Sequence, residues 1–183
     1  MLNKKKPVWV ELGLQTIHES SARFIRRGYS LDVYHDAVTR LSHHGIEVVT
    51  HVILGLPGET HEMMLDTVKY LNHMPIQGIK LQLLHVLEGT DLGTYYKNTG
   101  FHVLEEEEYV DLILECIEEL RPDITIHRIT GDGPKDLLIA PLWSSAKRSV
   151  LNHIHHQMKE KNCWQGKALE QKGDAYGRST DTL

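Results

Sequence analysis

Cysteine is scarce in this chain: only Cys116 and Cys163 occur in 183 residues. That excludes a disulfide-stapled scaffold and any cluster site built from several neighbouring thiolates. Cys116 falls on the apolar face of a helical pattern and is expected in the core. Cys163 lies in a polar stretch and is expected to be an exposed thiol. No uninterrupted apolar segment approaches the length that crosses a bilayer. Residues 1–6 are basic, yet no apolar stretch follows them, so they do not read as a secretory signal. Positive charge is not in excess either: 20 Lys and Arg stand against 25 Asp and Glu, a net charge of −5. This argues against broad electrostatic attachment to nucleic acid, while leaving room for a local basic patch around Arg26, Arg27, Arg128, Lys135 and Lys147. Repetition at a solenoid period is absent. What is present is 40% hydrophobic residues, enough to bury one core, and the expectation is a soluble cytoplasmic domain.

Strand and helix patterns alternate with short connections, which predicts an α/β fold with a parallel sheet covered by helices. Strands are predicted over 8–14, 46–54, 79–86 and 123–128. Between the first two, Ser30 opens a helix whose apolar positions Tyr34, Ala37, Val38 and Leu41 follow helical spacing, and Gly45 stops it. A second helix spans 60–73 with Met64, Val68 and Leu71 inward, ended by Pro75. After a loop over 87–100, a third covers 105–121, and its glutamates at 105–108 suit the positive end of the helix dipole better than they suggest an acidic docking patch. The last helix covers 145–160. From Ala168 the chain turns polar and is expected to be a disordered tail, so the folded domain is assigned to 1–167.

The residues with chemical potential cluster behind the predicted strands. Gln15 follows the first, Gly55-Leu56-Pro57-Gly58-Glu59-Thr60 the second, residues 85–91 the third, and 128–135 the fourth. In (β/α) barrels the loops at the carboxyl ends of the strands carry the chemistry. Glycines on each side of Leu56-Pro57 let backbone approach a ligand, and a helix start follows. Any α/β domain places Gly, Pro and polar residues after its strands, so spacing alone leaves both readings open.

The motifs together decide more. A strand-end Glu11-Leu12-Gly13-Leu14-Gln15, a later Arg27, and Gly-Leu-Pro-Gly-Glu-Thr after the next strand resemble the radical SAM superfamily. The run from His127-Arg128-Ile129-Thr130-Gly131-Asp132-Gly133-Pro134-Lys135 to Trp143, with Trp164-Gln165-Gly166-Lys167, is similar to its YhcC/YtqA-type subfamily. That subfamily is related to the radical SAM portion of the elongator catalytic subunit. The resemblance implies a partial (β/α) barrel, of which residues 8–167 would be the C-terminal half. It also implies S-adenosyl-L-methionine (SAM) as cofactor and a [4Fe–4S] cluster in full-length members. The Cys-x3-Cys-x-x-Cys loop that ligates this cluster is absent here, so the chain is expected to lack the cluster and to be a fragment or a truncated gene product, inactive by itself.

Within that resemblance, Arg27 suits the SAM carboxylate and Gln15 the ribose hydroxyls, while His51 reaches the ribose or ammonium. Ile53, Leu56 and Pro57 provide an apolar wall and backbone groups for adenine. Arg128 and Lys135 are assigned to an anionic substrate such as an RNA phosphate, with Asp132 orienting them. Without the family match, Arg27 reads as half of a surface pair with Arg26, Gln15 as a strand-end cap, and Asp132-Gly133 as a simple turn. Thirteen histidines invite a metal site at His153, His155 and His156, but these spread around a helix rather than along one face, and no metal is assigned. The relation to elongator-type proteins makes tRNA the leading substrate. The rival readings are a noncatalytic nucleotide-binding or partner-interaction module, and a different α/β enzyme using residues 55–59 for a phosphate. A barrel cut before residue 8 would also leave the first strand as an open edge, which implies self-association through it.

Overall fold

In a computed structural model, which describes residues 6–131, 133–171 and 173, four parallel strands form one sheet in the order β1-β2-β3-β5. They are β1 (Trp9–Gln15), β2 (Glu47–Leu54), β3 (Gly78–Leu83) and β5 (Thr125–Arg128). The short strands β4 (Val86–Leu87) and β6 (Leu138–Ala140) pair antiparallel as a separate ribbon. Helices α1 (Glu19–Phe24), α2 (Leu31–His43), α3 (His61–Leu71), α4 (Asp91–Thr99), α5 (Glu106–Glu119), α6 (Lys147–Glu160) and α7 (Lys167–Gln171) fill the connections. The parallel sheet alternating with helices agrees with the predicted class. Among the described residues it does not close into a barrel.

Alternation along β2 separates the two faces of the sheet. Val48, Thr50, Val52 and Leu54 are buried, whereas His51 and Ile53 on the opposite side are only half-buried. The buried side meets the helices in a core that includes Leu14, Tyr34, Val38, Val68, Leu81 and Ile113. Each such aliphatic side chain contributes roughly 1.5–3 kcal/mol on burial. The Tyr34 phenol in this core is satisfied: its hydroxyl and Thr50 Oγ1 lie 2.6 Å apart, and burial pushes the phenol well above its ordinary value.

Local chemistry explains the helix ends. Thr60 Oγ1 accepts from Met63 N at the start of α3. The acidic start of α5 is a capping box, with Glu105 N donating to Glu108 Oε2 at 2.8 Å, which bears out the solvated-helix reading. Ser30 precedes α2 but its hydroxyl makes no cap bond. Instead Leu31 N donates to Glu19 Oε1 at 3.0 Å.

Four expectations need correction. The third strand ends at Leu83 rather than 86, because Val86 leaves the sheet to pair with Ala140. The loop predicted over 87–100 contains α4, whose N-cap Thr90 accepts from Gly93 N. Cys163 is buried rather than exposed; its thiol donates to Leu114 O at 3.6 Å, and burial raises its pKa to about 11. Finally, residues 168–171 belong to α7, so the polar stretch begins in a helix; residues 174–183 lie outside the described residues.

The motif residues near the C-terminus hold the fold. Gln165 Nε2 donates to Arg121 O (2.8 Å) and Ile124 O (2.7 Å), tying the segment before α7 to the turn leading into β5. Trp143 Nε1 donates to Leu104 O at 3.0 Å, and its ring stands 5.6 Å from that of Tyr109.

Candidate functional site

The loops leaving β1, β2 and β3 gather at one end of the sheet. After β2 the chain turns at Gly55, with φ +91°, a value only glycine adopts easily. A Cβ there would also crowd Leu104. The turn uses its own polar groups: Gly55 N donates to Met64 Sδ at 3.0 Å and Glu59 N to Leu56 O at 3.0 Å. Glu59 accepts from Thr16 Oγ1 at 2.6 Å, which ties the turn to the chain after β1. With two of its N–H groups engaged and a carboxylate among them, the turn is poorly suited to a phosphate.

Gln15 has φ +59°, a strained value for a side chain of this size. Its amide folds back on the strand end and, turned over so that its nitrogen faces the backbone, donates to Leu14 O (3.1 Å) and Gly13 O (3.2 Å), the arrangement of a strand-end cap. Arg27 is turned inward, with its side chain only 2% exposed. Its guanidinium donates to Tyr29 O (2.9 Å), Leu14 O (3.1 Å), Thr16 O (2.8 Å) and Glu19 Oε1 (2.9 Å). The structure thus makes Arg27 a clamp on the end of β1, with four of its five N–H groups in use.

His51 lies on the open face of the sheet, where β2 and β3 place it beside Lys80. Glu11 Oε2 accepts from both, at 2.7 Å from His51 Nε2 and 2.5 Å from Lys80 Nζ. Glu11 therefore pairs with both a histidine and a lysine. Hydrogen bonds from Lys80 first and His51 second pull its carboxyl down to about 2, against a smaller opposing effect of burial.

Of the residues assigned to the cofactor, Ile53 and Leu56 come together in a cavity of about 510 Å³. Leu84 joins them at its base, Phe24, Leu92 and Tyr95 wall it, and Arg26 and Asp91 lie at its rim. The volume suits a ligand of nucleotide size, and the lining is mostly apolar. Pro57 is half-buried in the turn beside Leu56 and does not line the cavity. The aromatic wall escapes sequence reasoning because it comes from α1 and α4, two short helices with weak periodicity.

Arg128, the last residue of β5, lines a second hollow of about 550 Å³ with Lys147, Ile129, Leu151 and Met158. Lys135 sits in an exposed 3-10 turn (Lys135–Leu137) and does not line this hollow. Asp132 lies outside the described residues. Gly131 and Gly133 flank it, and a Cβ on either would strike the His85 ring, so this loop packs on the chain after β3. Among the described residues no three His, Cys, Asp or Glu side chains are grouped to hold a metal ion. His153 instead pairs with Glu106 at 2.9 Å. No helix there is long and apolar enough to cross a membrane.

The Radical SAM superfamily model matches residues 1–71, and the Radical_SAM C-terminal domain model matches residues 76–160. The chain belongs to the radical SAM superfamily. It is 41% identical to the protein YtqA of Bacillus subtilis over 169 residues, covering 92% of this chain and 52% of YtqA. Protein YhcC of Escherichia coli is 31% identical over 162 residues, covering 88% of this chain and 52% of YhcC. The chain thus spans about half the length of these relatives. A tRNA uridine(34) acetyltransferase of Methanocaldococcus jannaschii is 27% identical, covering 84% of this chain and 28% of that protein. The solved structure of the archaeal Methanocaldococcus infernus Elp3 with an N-terminal deletion superposes with a TM-score of 0.75 at 23% identity. That match covers 91% of this chain and 41% of Elp3, and it shows the shared fold.

Proposed function

We propose that this chain is the SAM-binding and substrate-facing part of a radical SAM enzyme that acts in RNA modification, with tRNA as the substrate class. The observation that carries the reading is the cavity at the carboxyl end of the sheet, because the two apolar residues assigned to adenine, Ile53 and Leu56, both line it. Superfamily membership supports SAM as the ligand, and a relative named as a tRNA uridine(34) acetyltransferase supports the RNA context.

The adenosyl group fits the residues present: an apolar base for the ring, with backbone of the β2 turn beside it. Ile53 and Leu56 would hold it, with His51 two residues before Ile53 on the same face of β2. Bound SAM would supply the reactive group for radical chemistry. The [4Fe–4S] cluster does not fit this chain. Cys116 and Cys163 are both buried, and burial raises both thiols, so neither favours the thiolate that a cluster needs. Reductive cleavage of SAM therefore requires ligands that these two cysteines do not supply.

Titration calorimetry with S-adenosylhomocysteine tests the reading. The chain should bind it saturably, and Ile53→Asp should weaken binding at least about tenfold by placing a charge against the ring. Equal affinity in parent and variant removes Ile53 from the site, and no binding by the parent overturns the assignment of this cavity to SAM.

A further inference from the structure

Two features of the cavity rim are unexplained by stability. Arg26 follows α1 at a left-handed position, φ +57°, with Arg26 N donating to Arg23 O and Arg27 N to Ala22 O. Glycine is the usual residue at such a helix end because a side chain there is strained. The arginine instead reaches across the mouth to the first residue of α4, with Arg26 Nη1 and Asp91 Oδ2 at 2.7 Å. Both side chains are about four-fifths exposed, at 78% and 81%, and so exposed an ion pair adds little stability. A strained residue maintained for a weak contact points to a ligand-facing role.

Just inside this pair stand two aromatic rings. Phe24 and Tyr95 meet edge to face with centroids 5.2 Å apart, and they remain 42% and 40% exposed. Such surfaces suit a planar ring. The rim adds donors from Arg26 and acceptor capacity from Asp91, the alternation found along the edge of a nucleobase. Asp91 at the mouth, and a chain of net charge −5, disfavour a phosphate there.

We propose that the outer part of this cavity receives an unpaired nucleobase of a single-stranded RNA, stacked on Tyr95 with Phe24 against its edge, and with Arg26 and Asp91 reading its hydrogen-bonding edge. The inference rests on the SAM reading above, which places the adenosyl group deeper, against Ile53 and Leu56. It assigns Phe24, Arg26, Asp91 and Tyr95 to substrate rather than cofactor.

The test measures binding of a fluorescent single-stranded oligouridylate to the whole chain, beside an abasic oligonucleotide of equal length and S-adenosylhomocysteine. Oligouridylate should bind more tightly than the abasic strand. Tyr95→Ala should weaken it about tenfold, as loss of one stacking platform does, with S-adenosylhomocysteine unaffected. Arg26→Gly should weaken it by about the same factor while leaving the thermal midpoint unchanged or higher, since glycine relieves the strained backbone. A purely structural role for Arg26 would not separate binding from stability in this direction. No saturable oligouridylate binding, equal binding of the abasic strand, or parent affinity in Arg26→Gly each overturns the proposal. So does a Tyr95→Ala variant that loses S-adenosylhomocysteine and keeps oligouridylate, because the cavity would then belong to adenine throughout. Failure of the parent to bind S-adenosylhomocysteine refutes the SAM reading and leaves the oligouridylate arm to decide the base site separately.

Discussion

Replacing Arg27 by alanine should unfold this protein more readily before it affects any ligand. The guanidinium makes four hydrogen bonds, to Tyr29 O, Leu14 O, Thr16 O and Glu19 Oε1, from a side chain only 2% exposed. The losses are unequal. Leu14 O keeps a second donor, Thr16 N at 2.8 Å, and Tyr29 lies where water can reach it. Thr16 is fully buried, so its carbonyl loses the Arg27 donor with no water to replace it, at about 1–3 kcal/mol. Glu19 loses its partner as well, but it is half exposed and screened, so its share is nearer the surface-pair value of about 0–1 kcal/mol. The sum is about 1–4 kcal/mol, a fall in melting temperature of roughly 2–16 °C for a domain of this size. Arg27→Lys should recover little, because a single ammonium cannot reach both strand-end carbonyls and Glu19 as the planar fork does. Urea unfolding of the three proteins, with S-adenosylhomocysteine titrations on each, checks this. An Arg27→Ala variant with parent stability and weakened ligand binding would refute the clamp and restore Arg27 to a direct grip on the SAM carboxylate.

Two further outcomes follow from groups away from the cavity. The Glu11 carboxyl is held at about 2 in the fold against an ordinary 4.5, so its contribution is complete above 4.5 and is lost as pH falls toward 2. Glu11→Gln should flatten the decline in stability across that window by a small amount, since Glu11 is 40% exposed and its charges are screened; identical acid-unfolding curves at low salt would remove the triad as a stabilising element. The two thiols should react with a thiol reagent at about pH 8 only after denaturant is added, because burial raises both. Rapid modification of Cys163 in the native chain would contradict its packing against Leu114.

Much of the fold was legible because it rests on long periodic segments. The spacing of Met64, Val68 and Leu71 placed α3, and Thr60 capped it as a threonine should. The glutamates at 105–108 fulfilled their electrostatic reading as a helix start. Elements of six to nine residues, α1 and α4, and the ribbon strands were missed, since so few residues carry no clear period. Cys163 was misjudged because burial there comes from α5, distant in sequence, and not from its polar neighbours. The same limit governed the site. Ile53 and Leu56 lie on a long strand and its turn, and they come together in the cavity. Arg27 has the donors to hold a carboxylate, but residue type does not reveal that the chain's own carbonyls occupy them first. Arg128 and Lys135 were joined by proximity in sequence, and the turn at Lys135–Leu137 carries the lysine away from the Arg128 hollow.

The ribbon formed by β4 and β6 sets an order of assembly for the cavity wall. Val86 and Ala140 are paired across a stretch of chain that holds α4, α5 and β5. Closing so long a loop costs entropy that the short ribbon recovers only in part, so its contacts belong to the late part of folding. Helix α4 leans on this ribbon through Gly93, where any side chain would meet Leu87 O, and the wall therefore inherits the ribbon's timing. The parallel sheet and its helices can be complete while α4 is still detached. The mouth of the cavity is then a region that opens by local unfolding at less than the global cost, and the exchange of α4 amides would register this independently of any ligand.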